Sequence, residues 1–360
     1  MYVSENTLTD MENKKFKFSR KQIIIGVAIA FVLLFIVSVV GMYNYFKHNN
    51  VPIQEEYYLY VSSGAEYQDV FDSLNVHGCI VDSAFFNWSA NKKNYPQNIK
   101  SGRYKVEPNM SINALLNKLI SGNQDPLKVV IGKFRSKEVL AQRLAKKLEF
   151  DSADFMSAIE NELLLDSFGF TLETSMAMFI PNTYEVYWNV TPEDFLKRMN
   201  RERQKFWNTK RQRKAADLGM TYTEVVVLAS IVDEETNKDD EKSLVASVYL
   251  NRLRKGHLLQ ADPTVRFAIN DFTIRRVLRK HLKFDSPYNT YIYKGLPPGP
   301  ICIPSISSID AVLEDKQTDY MYFCAKEDFS GYHNFAVTHK EHIQNARKFQ
   351  KALNERKIFK

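Results

Sequence analysis

An uninterrupted apolar segment near the N-terminus constrains this chain more than any other feature. Residues 23–43 contain no charged side chain, and their number matches the roughly 20 residues that an α-helix needs to cross a bilayer. Basic residues cluster just before the segment: Lys14, Lys15, Lys17, Arg20 and Lys21. Because basic flanks stay in the cytoplasm, we expect a cytoplasmic tail at 1–22, a transmembrane anchor at 23–43 and the bulk of the chain outside.

A cleaved signal peptide is the alternative interpretation of the same segment. The apolar run is too long for that class of signal, and residues 39–43 (VVGMY) do not match a small-residue cleavage site. The sequence therefore favours an uncleaved anchor that crosses the membrane once.

The remaining chain is long enough for two folded units within the 360 residues. After a linker at 44–54, residues 55–125 predict the order strand, helix, helix, strand, helix. This small unit has no cluster of catalytic residue types, which favours a role in binding or positioning. Residues 126–360 predict a larger α+β domain, with single helices expected at 152–165 and 192–218.

Charge and cysteine content narrow the possible partners. The net charge of +7 favours acidic or polyanionic partners, but the basic run at 205–214 has the pattern of a solvated helix face, so we expect no nucleic acid. Cys79, Cys302 and Cys324 have no metal-ligand spacing. Small buried hydrophobes are the favoured interpretation, and a Cys302–Cys324 pair remains open.

A helix predicted over 223–236 (TEVVVLASIVDEET) contains the first candidate for chemistry. Helical spacing places one acid, Glu235, within an apolar stripe, whereas Asp233 and Glu234 point elsewhere; the stripe consists of Val225, Leu228, Ile231 and Val232. A desolvated carboxyl has a raised pKa and serves as a general acid near neutral pH. The alternative is an acidic helix end with a frayed last turn.

Polar loops follow this helix region between Gly256 and Pro300. They carry short hydrogen-bonding side chains of the kind that sugars require, together with aromatic rings that stack on sugar faces: Gln260, Asp262, Asn289, Thr290, Tyr288 and Tyr291. For any one of these residues, turn chemistry alone is an adequate explanation. Their concentration behind one candidate acid favours a glycan-binding cleft.

Five segments resemble the endolytic murein transglycosylases of the YceG-like family. They are 228–236 (LASIVDEET), 245–256 (VASVYLNRLRKG), 259–265 (LQADPTV), 288–300 (YNTYIYKGLPPGP) and 320–335 (YMYFCAKEDFSGYHNF). The resemblance extends from about Tyr57 to the C-terminus. It implies an α+β fold with an N-terminal transmembrane helix, a small LysM-like glycan-binding domain at 55–125 and a YceG-like catalytic domain at 126–360.

The resemblance also implies a reaction and a set of site residues. The catalytic glutamate of the family falls on Glu235, and the implied reaction is non-hydrolytic endolytic cleavage of the β-1,4 bond between MurNAc and GlcNAc, which leaves 1,6-anhydro-MurNAc ends. The implied substrate-binding residues are Asn251, Arg252, Gln260, Asp262, Thr264, Asn289, Thr290, Tyr291, His333 and His342. No metal or cofactor is implied, and both histidines are interpreted as site-lining or structural residues.

The implied partners are peptidoglycan glycan strands, the membrane and the peptidoglycan synthesis machinery. The implied location is the cytoplasmic (inner) membrane, with the C-terminal bulk extracytoplasmic. The chain departs from the family pattern at Asp233, where a glutamate is usual, and at Asn182 and Ile131.

Two rival functions remain at this stage. One is an inactive, membrane-anchored peptidoglycan-binding scaffold, in which Glu235→Gln leaves function intact. The other is a pyridoxal phosphate lyase, which needs a buried lysine for a Schiff base, and the acid-rich helix offers none.

Overall fold

The structure is a computed structural model that describes residues 19–274 and 277–356. Helix α1 spans Arg20–His48, and its stretch Arg20–Tyr45 is long and apolar enough to cross a membrane. The capping residue Ser19 accepts a hydrogen bond from the Gln22 backbone N–H and begins the helix. Of the basic residues that precede the apolar segment, Lys14, Lys15 and Lys17 lie outside the described residues.

The chain divides into two compact units, 1–124 and 125–360. After α1, the first unit contains β1 (Tyr57–Val61), α2 (Tyr67–Val76), α3 (Ser83–Lys92), β2 (Gly102–Val106) and α4 (Ile112–Ser121). This is the predicted order of elements. Strands β1 and β2 pair antiparallel with Leu59 opposite Tyr104, and both side chains are fully buried in a core with Phe86 and Leu116.

The second unit begins with β3 (Leu127–Ile131), which pairs antiparallel with β4 (Asn182–Val186). Between these strands lie α5 (Lys137–Ala145), α6 (Ser152–Ile159) and α7 (Glu162–Ser167). The prediction of a single helix over 152–165 was wrong. Asn161 breaks it, because its side chain accepts a hydrogen bond from the Leu164 backbone N–H and begins a new helix.

Two further helices, α8 (Pro192–Phe206) and α9 (Thr209–Asp217), occupy the stretch that was predicted as a single helix. The prediction failed for the same physical reason as before. Asn208 caps the second helix by accepting from the Arg211 backbone N–H, so a polar cap interrupts an otherwise continuous helical pattern.

Helix α10 (Tyr222–Glu235) lies at the centre of the second unit. Every residue from Val225 to Asp233 is buried, so the helix has no solvated face and the predicted single apolar stripe was wrong. It packs against α12 (Asp262–Ile269), α11 (Asp239–Arg254) and α13 (Ile306–Glu314). A helix buried on all sides directs whatever its last turn carries into the interior of the domain.

A hairpin and a terminal helix complete the unit. Strands β5 (Tyr322–Ala325) and β6 (His333–Ala336) pair antiparallel, and α14 (His339–Glu355) packs against both. The described strands thus form three separate two-stranded sheets among many helices, a mixed helix and sheet architecture. Cys79, Cys302 and Cys324 are all free thiols, which answers the open pairing question.

Candidate active site

Glu235 is the last residue of α10 and lines a cavity of about 320 Å³. We call this space the active-site cavity. The cavity lies where the end of α10 meets α11, the start of α12, β5 and α14. The predicted site residues that line it are Glu235, Arg252, Gln260, Asp262, Tyr291, His333 and His342. The structure therefore gathers side chains that are more than 100 positions apart in sequence.

The Glu235 carboxyl is held in a protonatable state by its surroundings. Burial raises its pKa to about 7, and the hydrogen bond from Tyr249 opposes this rise. The Tyr249 hydroxyl donates to Glu235 Oε1 at 2.6 Å. A carboxyl that titrates near neutral pH can both donate and accept a proton under physiological conditions.

Asp262 brings a second carboxylate into the cavity. It accepts a hydrogen bond from the Tyr291 hydroxyl at 2.6 Å. Its negative charge also contributes to the raised pKa of Glu235. The cavity thus holds one carboxyl that favours its neutral form and one carboxylate that accepts from a phenol.

His333 is fixed by a buried carboxylate that the sequence did not suggest. Glu241 Oε2 lies 2.7 Å from His333 Nδ1, and Glu241 Oε1 accepts from the His333 backbone N–H at 2.7 Å. Both oxygens of Glu241 therefore contact one residue of β6. This arrangement sets the orientation of the ring and leaves Nε2 as its other hydrogen-bonding atom.

His342 contributes a different feature to the cavity wall. Its ring stacks on Tyr322 with centroids 5.3 Å apart. Burial lowers the pKa of His342, with further lowering from the charges of His339 and Arg252. Its Nδ1 is buried without a hydrogen-bond partner, so a bound polar ligand would satisfy it.

Four of the predicted substrate-binding residues lie behind the cavity wall. Asn251 donates to the carbonyl oxygens of Thr318 and Tyr320. Asn289 is fully buried and donates to the carbonyl oxygens of Leu282 and Phe284. These amides close backbone turns, which is a supporting role for the segments that carry the lining residues.

Thr264 and Thr290 form the other supporting pair. Their hydroxyl oxygens lie 2.9 Å apart, and Thr290 Oγ1 accepts from the Ala261 backbone N–H. This contact holds the loop that presents Gln260, which adopts a left-handed backbone with φ of 55°. A left-handed conformation at a non-glycine residue costs free energy and is maintained by such surrounding contacts.

The two acids that precede Glu235 lie outside the active-site cavity, yet neither is simply solvated. Asp233 is buried and accepts hydrogen bonds from Ser305 and Ser308, while Lys133 and Lys242 form ion pairs with it. The Glu234 carboxylate pairs with Arg135 in a bidentate contact and with Lys133. Both acids anchor the helix end that carries Glu235.

The residues that sequence reasoning missed are Tyr249 and Glu241. Tyr249 lies 14 positions after Glu235 on the next helix, and its ring packs edge-on against Phe323 of β5. Nothing in local spacing identifies it, because it resembles any other apolar position of a buried helix. Glu241 lies in the first turn of α11, where acidic residues are common for helix-dipole reasons alone.

The buried lysine that a pyridoxal phosphate enzyme needs has a structural use in this chain. Lys242 is 5% exposed, and its ammonium contacts Asp233, Asp239, Ser305 and Ser307. It does not line the active-site cavity as the structure describes it. Within the described ranges, no three His, Cys, Asp or Glu side chains are grouped as metal ligands.

Comparisons with known proteins agree on one family. A sequence model of the YceG-like family matches residues 59–348. The chain is 27% identical over 312 residues to an endolytic murein transglycosylase of Bacillus subtilis, covering 82% of this chain and 85% of that protein. It is 25% identical over 343 residues to an endolytic murein transglycosylase of Streptococcus pneumoniae, covering 82% of this chain and 61% of that protein.

The fold also matches a solved structure. A yceG-like protein of Listeria monocytogenes, known from a crystal structure, is similar with a TM-score of 0.55 and 26% identity. The match covers 81% of this chain and 99% of the Listeria chain.

Proposed function

The chain belongs to the YceG-like family, and on that premise we propose that it is a lytic murein transglycosylase. It would cleave the β-1,4 bond between MurNAc and GlcNAc within peptidoglycan strands and leave 1,6-anhydro-MurNAc ends. The names of its relatives support the substrate and the endolytic mode. The observation that carries the proposal is the Glu235 carboxyl, whose pKa of about 7 suits proton transfer in both directions.

In the first half of the reaction, Glu235 is the general acid. Its carboxyl protonates the glycosidic oxygen as the bond from that oxygen to C1 of MurNAc breaks. In the second half, the resulting carboxylate removes the proton from the C6 hydroxyl of the same MurNAc, and that oxygen bonds to C1. The carboxyl is restored, so protons and electrons balance without water.

One catalytic carboxyl is sufficient because the nucleophile belongs to the substrate. Ordinary glycosidases place two carboxyl groups about the scissile bond, one of which activates water or attacks directly. Here the cavity must hold the C6 hydroxyl in line with C1, and such positioning is itself a large rate factor. We propose that Arg252, Gln260, Tyr291, His333 and His342 bind the sugars that flank this bond.

Asp262 is the residue that distinguishes this mechanism from hydrolysis. A second carboxylate in the cavity is what a hydrolase would need to activate water. Tyr291 donates a hydrogen bond to Asp262, and we propose that Asp262 holds the substrate; ¹⁸O label in the new ends would instead assign it to water activation.

The first unit and α1 complete the proposal. The small unit is proposed as a LysM-like module that positions glycan, on the grounds of its β1–α2–α3–β2–α4 order. Helix α1 is proposed as a single-pass anchor in the cytoplasmic membrane that places residues 55–360 outside. From there the enzyme would reach nascent strands near the synthesis machinery.

The proposal is tested by digesting purified glycan strands in ¹⁸O water, with mass analysis of the new ends. Intramolecular attack gives anhydro ends without label. Glu235→Gln should lower the rate by at least about 10²–10⁴-fold, the range that general acid–base catalysis supplies. Labelled reducing ends would show a hydrolase, full activity of Glu235→Gln would exclude Glu235 as the catalytic acid, and no cleavage by the wild-type protein would favour the inactive scaffold.

A further inference from the structure

A second cavity of about 380 Å³ adjoins the active-site cavity. The two share three lining residues, Arg252, Gln260 and Tyr322. We call the second space the basic cavity, because its wall includes Arg252, Lys255, His257 and Lys294. Within the described residues its lining contains no acidic side chain.

The two cavities differ in their charged side chains although they share Arg252. The active-site cavity contains Glu235 and Asp262, whereas the basic cavity contains an arginine, two lysines and a histidine. Charged side chains at a helix C-terminus are commonly basic, which accounts for Arg252 and Lys255 at the end of α11. It does not account for Lys294, which reaches the same cavity from a loop far along the chain.

Arg252 lies at the junction and is held without any ion pair. Its Nε donates to the Met321 carbonyl oxygen at 2.8 Å. Its Nη1 donates to the carbonyl oxygens of Leu258 and Leu259 and to Gln260 Oε1. All of these acceptors are neutral, and in the described part of the chain no carboxylate lies within ion-pair distance.

This arrangement fixes the guanidinium, whose charge faces the Tyr322 ring at 5.2 Å but no described carboxylate. Nη2 makes no hydrogen bond to a described residue, so one edge of the group remains for a ligand. Arginine in such a fixed position suits planar carboxylates, and the nearby lysines add attraction without strict geometry. The basic cavity thus has the character of an anion site whose wall is also part of the active-site cavity.

We propose that the basic cavity binds carboxylates of the stem peptide that murein carries on its MurNAc residues. This inference rests on the proposed function, because it adds a specificity site to that same cleft. The glycan itself is neutral along its sugar rings, so the peptide supplies the negative charge. The enzyme should consequently cleave strands with free peptide carboxylates better than strands whose peptide carboxylates are amidated.

The kinetic test compares peptide-bearing strands with the same strands after chemical amidation of the peptide carboxylates, which keeps the peptide but removes its negative charge. Lys255→Gln/Lys294→Gln removes two charges from the basic cavity without touching Arg252 or Glu235. We expect kcat/KM on peptide-bearing strands to fall about 5- to 10-fold, as is usual for losing two partly exposed charge contacts. Activity on the amidated strands should change by less than about 2-fold, because those strands offer no carboxylate to the lysines.

The matched control is Lys146→Gln/Lys210→Gln, which removes the same charge from exposed positions elsewhere in the second unit. It should leave both activities unchanged. Equal loss on both strands in Lys255→Gln/Lys294→Gln, or no preference of the wild-type enzyme for free over amidated peptide carboxylates, would overturn the proposal.

A binding experiment separates this proposal from the proposed activity. Full-length Glu235→Gln protein in detergent is titrated by calorimetry with a disaccharide-peptide that has free carboxylates, and with its amidated counterpart. Weaker binding of the amidated compound, with the difference abolished by Lys255→Gln/Lys294→Gln, supports the anion site. Equal binding of the two compounds overturns it, whereas failure of the wild-type enzyme to cleave either strand would contradict the proposed function alone.

Discussion

Three consecutive acids at the end of α10 have three different environments. Asp233 is buried among hydroxyls and lysines, Glu234 pairs with Arg135, and Glu235 faces the active-site cavity with a phenol as its hydrogen-bond donor. Burial alone would raise the pKa of Asp233, but hydrogen bonds from Ser305 and Ser308 and the charge of Lys133 hold it at about 2. Two carboxyl groups that lie two residues apart therefore differ in role: Asp233 anchors the helix end, and Glu235 is the proposed proton donor.

The raised pKa of Glu235 predicts a particular pH profile. A general acid must be protonated in the free enzyme, so kcat/KM should fall as pH rises through about 7. Tyr249→Phe removes the hydrogen bond that lowers this pKa, so the alkaline limb should move to higher pH. Tyr322→Phe is the control, since Tyr322 also lines the cavity, and its limb should stay at the wild-type pH. An unmoved limb in Tyr249→Phe would contradict the assignment of that limb to Glu235.

The raised pKa of Glu235 also predicts that this residue lowers the free energy of unfolding at alkaline pH. Above pH 7 the Glu235 carboxylate is charged in the folded protein and poorly solvated, whereas below the unfolded value of about 4.3 it is neutral in both states. Glu235→Gln should therefore increase the free energy of unfolding at pH 8 and change it little at pH 4. Urea denaturation at the two pH values measures this, and a pH-independent difference would contradict it.

At the scale of elements, the end of α10 is held by its neighbours. Asp233 connects it to α11 through Lys242, to α13 and the residue before it through Ser308 and Ser305, and to the segment after β3 through Lys133. The position of Glu235 thus depends on an ionic cluster on the far side of the helix. The sequence had suggested that Asp233 simply points away from the site.

Asp233→Asn should destabilise the second unit, because Lys133 and the buried Lys242 would each lose a carboxylate partner, and Lys242 would retain only the exposed Asp239 as an anion. We expect the free energy of unfolding at pH 7 to fall by about 3 kcal/mol, the lower end of the range for removing one member of a buried ion pair, because Asp239 still pairs with Lys242. Since the pKa of Asp233 is lowered to about 2, its contribution exists above the unfolded value and is lost as pH falls toward 2. The difference between the proteins should shrink over that window in urea denaturation. Asp194→Asn, at an exposed pair with Lys197, is the control and should cost little.

At the scale of the whole molecule, the chain has two compact units, and the first of them includes the long apolar helix α1. Helix α1 has 29 residues, which at 1.5 Å per residue is about 44 Å and longer than the roughly 30 Å hydrocarbon core. The helix can therefore cross the bilayer and continue beyond it. Its length agrees with an anchor, and the proposed direction rests on the basic residues that precede it in the sequence.

The proposed orientation predicts the behaviour of reporter fusions. A reporter that is active only outside the cytoplasm, fused after Lys360, should be active in cells. The same reporter fused before Met1 should be silent and serves as the control. The opposite pattern would contradict both the orientation and the access to peptidoglycan that the proposed function requires.

Local sequence patterns determined the features that depend on neighbouring residues. The apolar run predicts the long apolar helix α1, and periodicity and capping predict the order of strands and helices in the first unit. Spacing and family motifs single out Glu235. Helix breaks at Asn161 and Asn208 were missed, because a capping side chain competes with a helical pattern that continues on both sides.

Tertiary structure alone decided how distant segments meet. Tyr249 of α11 donates a hydrogen bond to Glu235 of α10, and Glu241 holds His333 from 92 positions away. Asn289 and Thr290 were expected to contact substrate, yet packing places them behind the wall as supports. Such contacts depend on how helices and loops pack in three dimensions, and the spacing of residues along one chain carries no information about that packing.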